Sequence, residues 1–140
     1  MTDTSLLASE LRLAVHRLTR RLRQENPSDD LTLSQVSALA VVFSSGPLTA
    51  GDLAAAEQVR PPSMTRMIGA LEAAGMVERG GNPEDARQVL VSVTDLGRET
   101  METYIQRRQQ WLTEHLAELS ADDLDVLHRA AQLLERLAGR

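Results

Sequence analysis

The segment Pro61-Pro62-Ser63-Met64-Thr65-Arg66 concentrates two hydroxyls and a guanidinium within four residues. On a helix turning ~100° per residue, Met64, Met67, Ile68 and Leu71 share one apolar face. Pro62, Arg66, Gly69 and Ala73 lie opposite, with Ser63 and Thr65 on the flanks. That outward face is small, polar and carries a single cation. Small residues let the walls of a DNA groove approach, hydroxyls bond phosphates or base edges, and Arg can grip guanine O6 and N7 together. An ordinary solvated helix face is the alternative, although exposed helices usually carry more charge than this one, so the wheel alone leaves both readings open. A second pattern, Asp85-Ala86-Arg87, sits in a turn-rich stretch just before a run of β-formers. Arg at the end of a thin ribbon can reach a narrow minor groove, where the negative potential is enhanced. An Asp two residues away could hold the guanidinium in place; the plainer alternative is a surface ion pair that contributes little.

Catalytic chemistry finds no comparable pattern. His16, His115 and His128 are the only histidines, and no H-x-x-x-H spacing relates them. There is no Gly-rich phosphate loop and no G-x-S-x-G. Asp122-Asp123 falls in the first turn of a helix, where acids complement the dipole. The chain has no Cys, which removes disulfide scaffolds, thiol switches, Cys nucleophiles and Cys-ligated zinc. The expectation is a protein that is not an enzyme, with no metal and no cofactor.

The elements that must position these residues follow from caps and periodicity. Thr32-Leu-Ser-Gln35, Thr49-Ala-Gly-Asp52 and Ser120-Ala-Asp-Asp123 each place a hydroxyl three residues before Gln or Asp, and Thr94 precedes Asp95. These are helix starts. Leu7, Leu11, Ala14, Val15, Leu18 and Leu22 make one apolar stripe, predicting a first helix over about 4–25 stopped by Asn26-Pro27-Ser28. A second helix spans about 33–44, a short third about 50–57, and a fourth runs from Pro61 or Pro62 to Ala74, with Gly75 as its C′ residue. Met76–Arg79 and Val89–Val93 then read as two short strands around a turn over Gly80–Asp85, a β-hairpin. Helical periodicity returns from Thr94 through Leu119 and again from Leu124 to Leu137.

The fold class is therefore mainly α with a small β-hairpin wing (α+β): a winged helix-turn-helix over 32–94, flanked by helical regions 1–31 and 95–140. Each flanking helix carries one apolar stripe and has no sheet to pack on. Two copies of the chain would bury those stripes in a helical bundle. Packing back onto the central domain in a monomer is the alternative.

Composition agrees with this reading. The apolar share is 42% and the aromatic share 2%, so the core must be built from Leu, Val, Ala, Ile and Met. The longest apolar run, Ala38–Phe43, is far short of the ~20 residues of a membrane helix. The Arg-rich N-terminus lacks the apolar stretch of a secretory signal, so the expected compartment is the cytoplasm. The formal net charge of −5 argues against nucleic acid only weakly, since it says nothing about clustering.

With these residues on the page, the chain is similar to the MarR family of winged-helix transcriptional regulators. The string Ser63–Arg79 carries the resemblance, continuing through Asn82-Pro83-Glu84-Asp85-Ala86-Arg87 to Val91-Ser92-Val93-Thr94-Asp95-Leu96-Gly97-Arg98. The Asp-x-Arg wing followed by a strand and Thr-x-x-Gly is its most specific part. The resemblance implies a homodimer whose terminal helices interlock and which presents one winged helix per subunit to a palindromic operator on double-stranded DNA. It implies regulation of nearby genes, as a repressor in the reading adopted, often relieved by a small anionic or phenolic effector. Ser63, Thr65 and Arg66 fall at DNA-contacting positions of the recognition helix, and Pro62 at its leading edge. Arg87 falls on the minor-groove arginine and Asp85 on the acid that orients it. Thr49 could donate to phosphate as well as cap its helix. Two positions depart from the family pattern: Gly69 stands where Asp is frequent, and Arg60 stands where a small cap is expected but could reach phosphate.

The rival function is a winged helix that binds protein without binding DNA. Residues 60–98 are neutral, with five arginines balanced by five acids, which favours the rival. Arg66 and Arg87 occupy the two places where a DNA-binding winged helix would use them, which favours DNA. Effector-binding residues are not selected by any spacing; Arg12, His16, Arg20, Ser44 and Met101 are conceivable liners of a pocket.

Overall fold

The computed structural model describes residues 1–25 and 31–139. The chain order is α1 (Thr4–Arg23), α2 (Leu33–Ser45), β1 (Leu48–Thr49), α3 (Ala50–Glu57), α4 (Pro61–Ala73), β2 (Val77–Asn82), β3 (Asp85–Val93), α5 (Asp95–Leu116) and α6 (Ala121–Ala138). This is the mainly helical winged architecture expected from the caps and periodicities.

The hydroxyl caps act as the sequence predicts. Thr32 accepts from Gln35 N while the Gln35 side chain accepts from Thr32 N, a complete capping box. Thr49, Thr94 and Ser120 accept from Asp52 N, Gly97 N and Asp123 N; among the described residues the Asp52 and Asp123 side chains return no bond, and Gly97 has no side chain to do so. Asp3 caps α1 by accepting from Ser5 N and Leu6 N. The predicted stop of α1 at Asn26-Pro27-Ser28 lies outside the described residues; α1 itself ends at Arg23. α4 closes on Gly75, whose φ of +77° suits a residue without Cβ. There Met76 N donates to Leu71 O and Gly75 N to Glu72 O, the paired bonds of a Schellman end.

The sheet is larger than the predicted hairpin. β1 joins it as a third strand, giving the antiparallel order β1-β3-β2, with Leu48 opposite Val91 and Thr49 opposite Leu90. Two residues beside a Pro and a helix cap carry no readable period, which is why β1 is silent in the sequence. The hairpin is also longer and its turn tighter. Gly80, Gly81 and Asn82 continue β2 rather than forming the turn, and Asn82 pairs directly with Asp85 across Pro83-Glu84. Glycines can extend a ribbon when the opposing strand supplies the bonds, and β3 does so over nine residues.

The core lies between α2, α3, α4 and the sheet. Leu39, Val42, Leu53, Met64, Ile68, Leu71 and Val77 are all sealed from solvent. Met101 and Tyr104 of α5 close it from the far side. α5 is fixed to the end of α4 by backbone approach: Thr94 N donates to Met76 O, and a Cβ on Gly97 would lie 2.0 Å from that same oxygen. The terminal helices are different. Only Leu22 of α1 is buried, and no described residue of α6 is. Leu7, Val15, Leu18, Leu127, Leu133 and Leu137 stand exposed on one chain.

Candidate nucleic-acid interface

α4 presents its predicted faces. Met64, Ile68 and Leu71 point into the core and Met67 is half-buried, while Pro62, Ser63, Thr65, Arg66 and Ala73 are exposed. Pro61 and Pro62 occupy the first two helical positions, where a missing N–H leaves no bond unmade. Arg60 is the N-cap residue and makes no side-chain cap bond, so its exposed guanidinium is available to a ligand. A Cβ on Gly69 would meet nothing within 4 Å. Packing therefore does not require glycine there, and its cost of roughly 1 kcal/mol relative to Ala is not offset inside the fold.

Thr65 carries a detail that the wheel misses. Its Oγ1 donates to Pro61 O at 3.0 Å. With the hydrogen so engaged, the oxygen is left to accept. That suits an amino group on a base edge better than a phosphate oxygen, which needs a donor. Thr49 has the opposite balance: its Oγ1 accepts from Asp52 N at 3.1 Å, and its own hydrogen is free to donate.

The wing holds its arginine as the spacing suggests. One Asp85 oxygen, Oδ1, accepts from Arg87 N at 3.1 Å and from Arg87 Nε at 3.3 Å. Both bonds run through the backbone N and Nε, so the terminal guanidinium nitrogens are not the atoms that bind the carboxylate. The Arg87 side chain is 92% exposed. The turn beneath it is closed by Asn82, whose Oδ1 accepts from Glu84 N and whose Nδ2 donates to Gln88 Oε1. Asn before Pro is a turn signal in the sequence, but its partner Gln88 could not be read there. Arg79 was also missed: its Nε lies 3.5 Å from Glu72 Oε2, linking β2 to α4.

The histidines do not converge. His115 Nδ1 sits 2.7 Å from Trp111 O and its ring stacks on Trp111 at 4.0 Å, with Arg21 over the same indole at 4.6 Å. His128 contacts Gln132. No group of three or more metal-binding side chains occurs among the described residues. Among the described residues, no helix is long and apolar enough to cross a membrane.

Of the conceivable effector liners, Arg12, His16 and Arg20 share one hollow of about 940 Å³, with Leu11, Val15, Leu33 and Leu134 among its walls. Met101 is 3% exposed within the core and does not line that hollow. Ser44 lies at the end of α2, away from that hollow, with its hydroxyl directed to Val41 O.

Residues 31–89 match the model of the MarR family. An HTH-type transcriptional regulator of Mycobacterium tuberculosis is 50% identical over 91% of this chain and 90% of its own length. The multiple antibiotic resistance protein MarR of Salmonella typhimurium is 34% identical over 70% of this chain and 69% of its own. Among solved structures, a Pseudomonas aeruginosa chain assigned to the transcriptional regulators superposes with a TM-score of 0.85 at 34% identity, covering 99% of this chain and 98% of that one.

Proposed function

The chain belongs to the MarR family of HTH-type transcriptional regulators, and from that premise we propose that it is a homodimeric repressor of nearby genes. Two copies bury the exposed stripes of α1 and α6 against each other. Each then offers α4 to the major groove and Arg87 to the adjacent minor groove of a palindromic operator in the cytoplasm. The observation that carries this reading is the presence of two exposed features on the winged domain. One is the uncrowded face of α4 bearing Ser63, Thr65 and Arg66; the other is an arginine oriented by Asp85 and with no other partner among the described residues. Arg60 and Thr49 flank that face with free donors and serve as phosphate contacts.

A small anionic effector fits the hollow on α1. Arg12, Arg20 and Arg23 supply charge, and Leu11, Val15 and Leu33 supply an apolar wall. Filling it in the dimer shifts the spacing of the two α4 helices and releases DNA. A gel shift of the DNA upstream of the chain's own gene tests the reading. A retarded band competed by the same duplex, but not by an unrelated one, is expected. No retardation at low salt would favour a winged helix that binds protein instead.

A further inference from the structure

Resting on the DNA-binding reading, we infer that the Arg79–Glu72 pair is a positioning device that sets the angle of the wing against the recognition helix. The wing is poorly anchored by packing. Val77 at the root of β2 is buried, but Glu78, Arg79, Gly80 and Gly81 that follow are exposed, and on β3 so are Ala86, Arg87, Gln88 and Val89. Where the ribbon passes α4, the two surfaces do not close. A hollow of about 120 Å³ separates them, lined by Thr65 and Ile68 of α4, Val89 and Val91 of β3, Ala50 and the Arg79 side chain. Among the described residues, Arg79–Glu72 is the one side-chain ion pair or hydrogen bond that joins α4 to β2 or β3.

The tie sits at the last useful place. Arg79 pairs with Val91, the last buried residue of β3 before the ribbon leaves the core. The next two residues outward are Gly80 and Gly81, with a register irregularity between Gly81 and Asn82. A two-stranded ribbon exposed beyond residue 79 transmits its root angle to the tip only as well as that root is held. Arg87, at the tip, is thereby coupled to a pair that need not touch DNA.

A direct phosphate contact by Arg79 predicts different behaviour, so the two are separable. Under the positioning role, Arg79→Ala and Glu72→Gln each weaken binding to a cognate duplex by about three- to fivefold, the scale of an exposed ion pair. Both effects vanish in an Arg87→Ala background, and Arg79→Lys restores most of the loss. A phosphate contact would make the Arg79→Ala loss persist without Arg87, and Glu72→Gln would strengthen binding by removing an acid; that outcome overturns the proposal. A second measurement needs no DNA. The chain has no Cys, so nitroxides on Ala70→Cys and Ala86→Cys, both exposed positions, report the distance from α4 to the wing tip within one subunit, read in heterodimers carrying one labelled chain. Arg79→Ala should broaden that distribution with helicity unchanged, and an unaltered distribution overturns the positioning role. Failure of the wild-type protein to bind any duplex would instead overturn the DNA-binding reading.

Discussion

Replacing Arg87 with Ala removes one charge from each wing, and therefore two from a dimer on DNA. For B-DNA, log K falls with log salt by about 0.9 per neutralised phosphate. If each Arg87 neutralises one phosphate-derived charge, the mutant slope is shallower by about 1.8. Between 50 and 200 mM salt, the ratio of wild-type to mutant affinity then shrinks by about twelvefold. The structure makes this a clean subtraction. Arg87 has a 92% exposed side chain whose only partner among the described residues is Asp85. The fold loses an exposed ion pair that contributes at most about 1 kcal/mol. The assay is fluorescence anisotropy on cognate and scrambled duplexes at four or more salt concentrations, with circular dichroism as the folding control. The loss should be similar on both duplexes, because a wing tip reads groove width and potential more than base identity. Parallel slopes for wild type and mutant would refute the reasoning, and the wing would then not touch DNA.

Other changes probe other parts of the account. Arg66→Ala should cost about 1–3 kcal/mol on the cognate duplex and relax preference at one position per half-site, while scrambled DNA is affected less; equal losses on both would make Arg66 a phosphate clamp. Leu127→Asp should turn the dimer into a monomer by light scattering while the helical signal of the winged domain persists. Leu127 is 45% exposed on a single chain, and burying that remainder in two copies contributes about 1.4–2.7 kcal/mol to a dimer; an unchanged dimer mass would contradict the assignment of α6 to the interface. Gly97→Ala should lower thermal stability sharply, because its Cβ would fall 2.0 Å from Met76 O, a backbone atom that cannot step aside; a melting temperature within 2–3 °C of wild type (roughly 1 kcal/mol or less) would show that α5 can shift freely against α4.

The residues differ in how much of this was legible beforehand. Caps were readable because a hydroxyl at a helix start has a local partner three residues on, as at Thr32 and Gln35. The faces of α4 were readable because helical period is local as well. Asp85 and Arg87 needed only a two-residue spacing. What failed to show was tertiary. β1 exists because Leu48 and Thr49 lie beside Val91 and Leu90, forty residues away. Arg79 and Glu72 look like two more charges on a neutral segment until a turn at Gly75 folds them together. Effector liners were not legible because no spacing selects them; Met101, one of the conceivable ones, is packed in the core at 3% exposure. The sequence left open whether Thr65 donates or accepts, because its bond to Pro61 O depends on the side-chain rotamer.

Selection of bound duplexes from a randomised pool tests the central claim most directly. A dimer presenting two α4 helices predicts enrichment of an inverted repeat, its half-sites centred about one helical turn apart, roughly 10 bp, or a multiple of that. Enrichment of no sequence, or of a single site without two-fold symmetry, would contradict it.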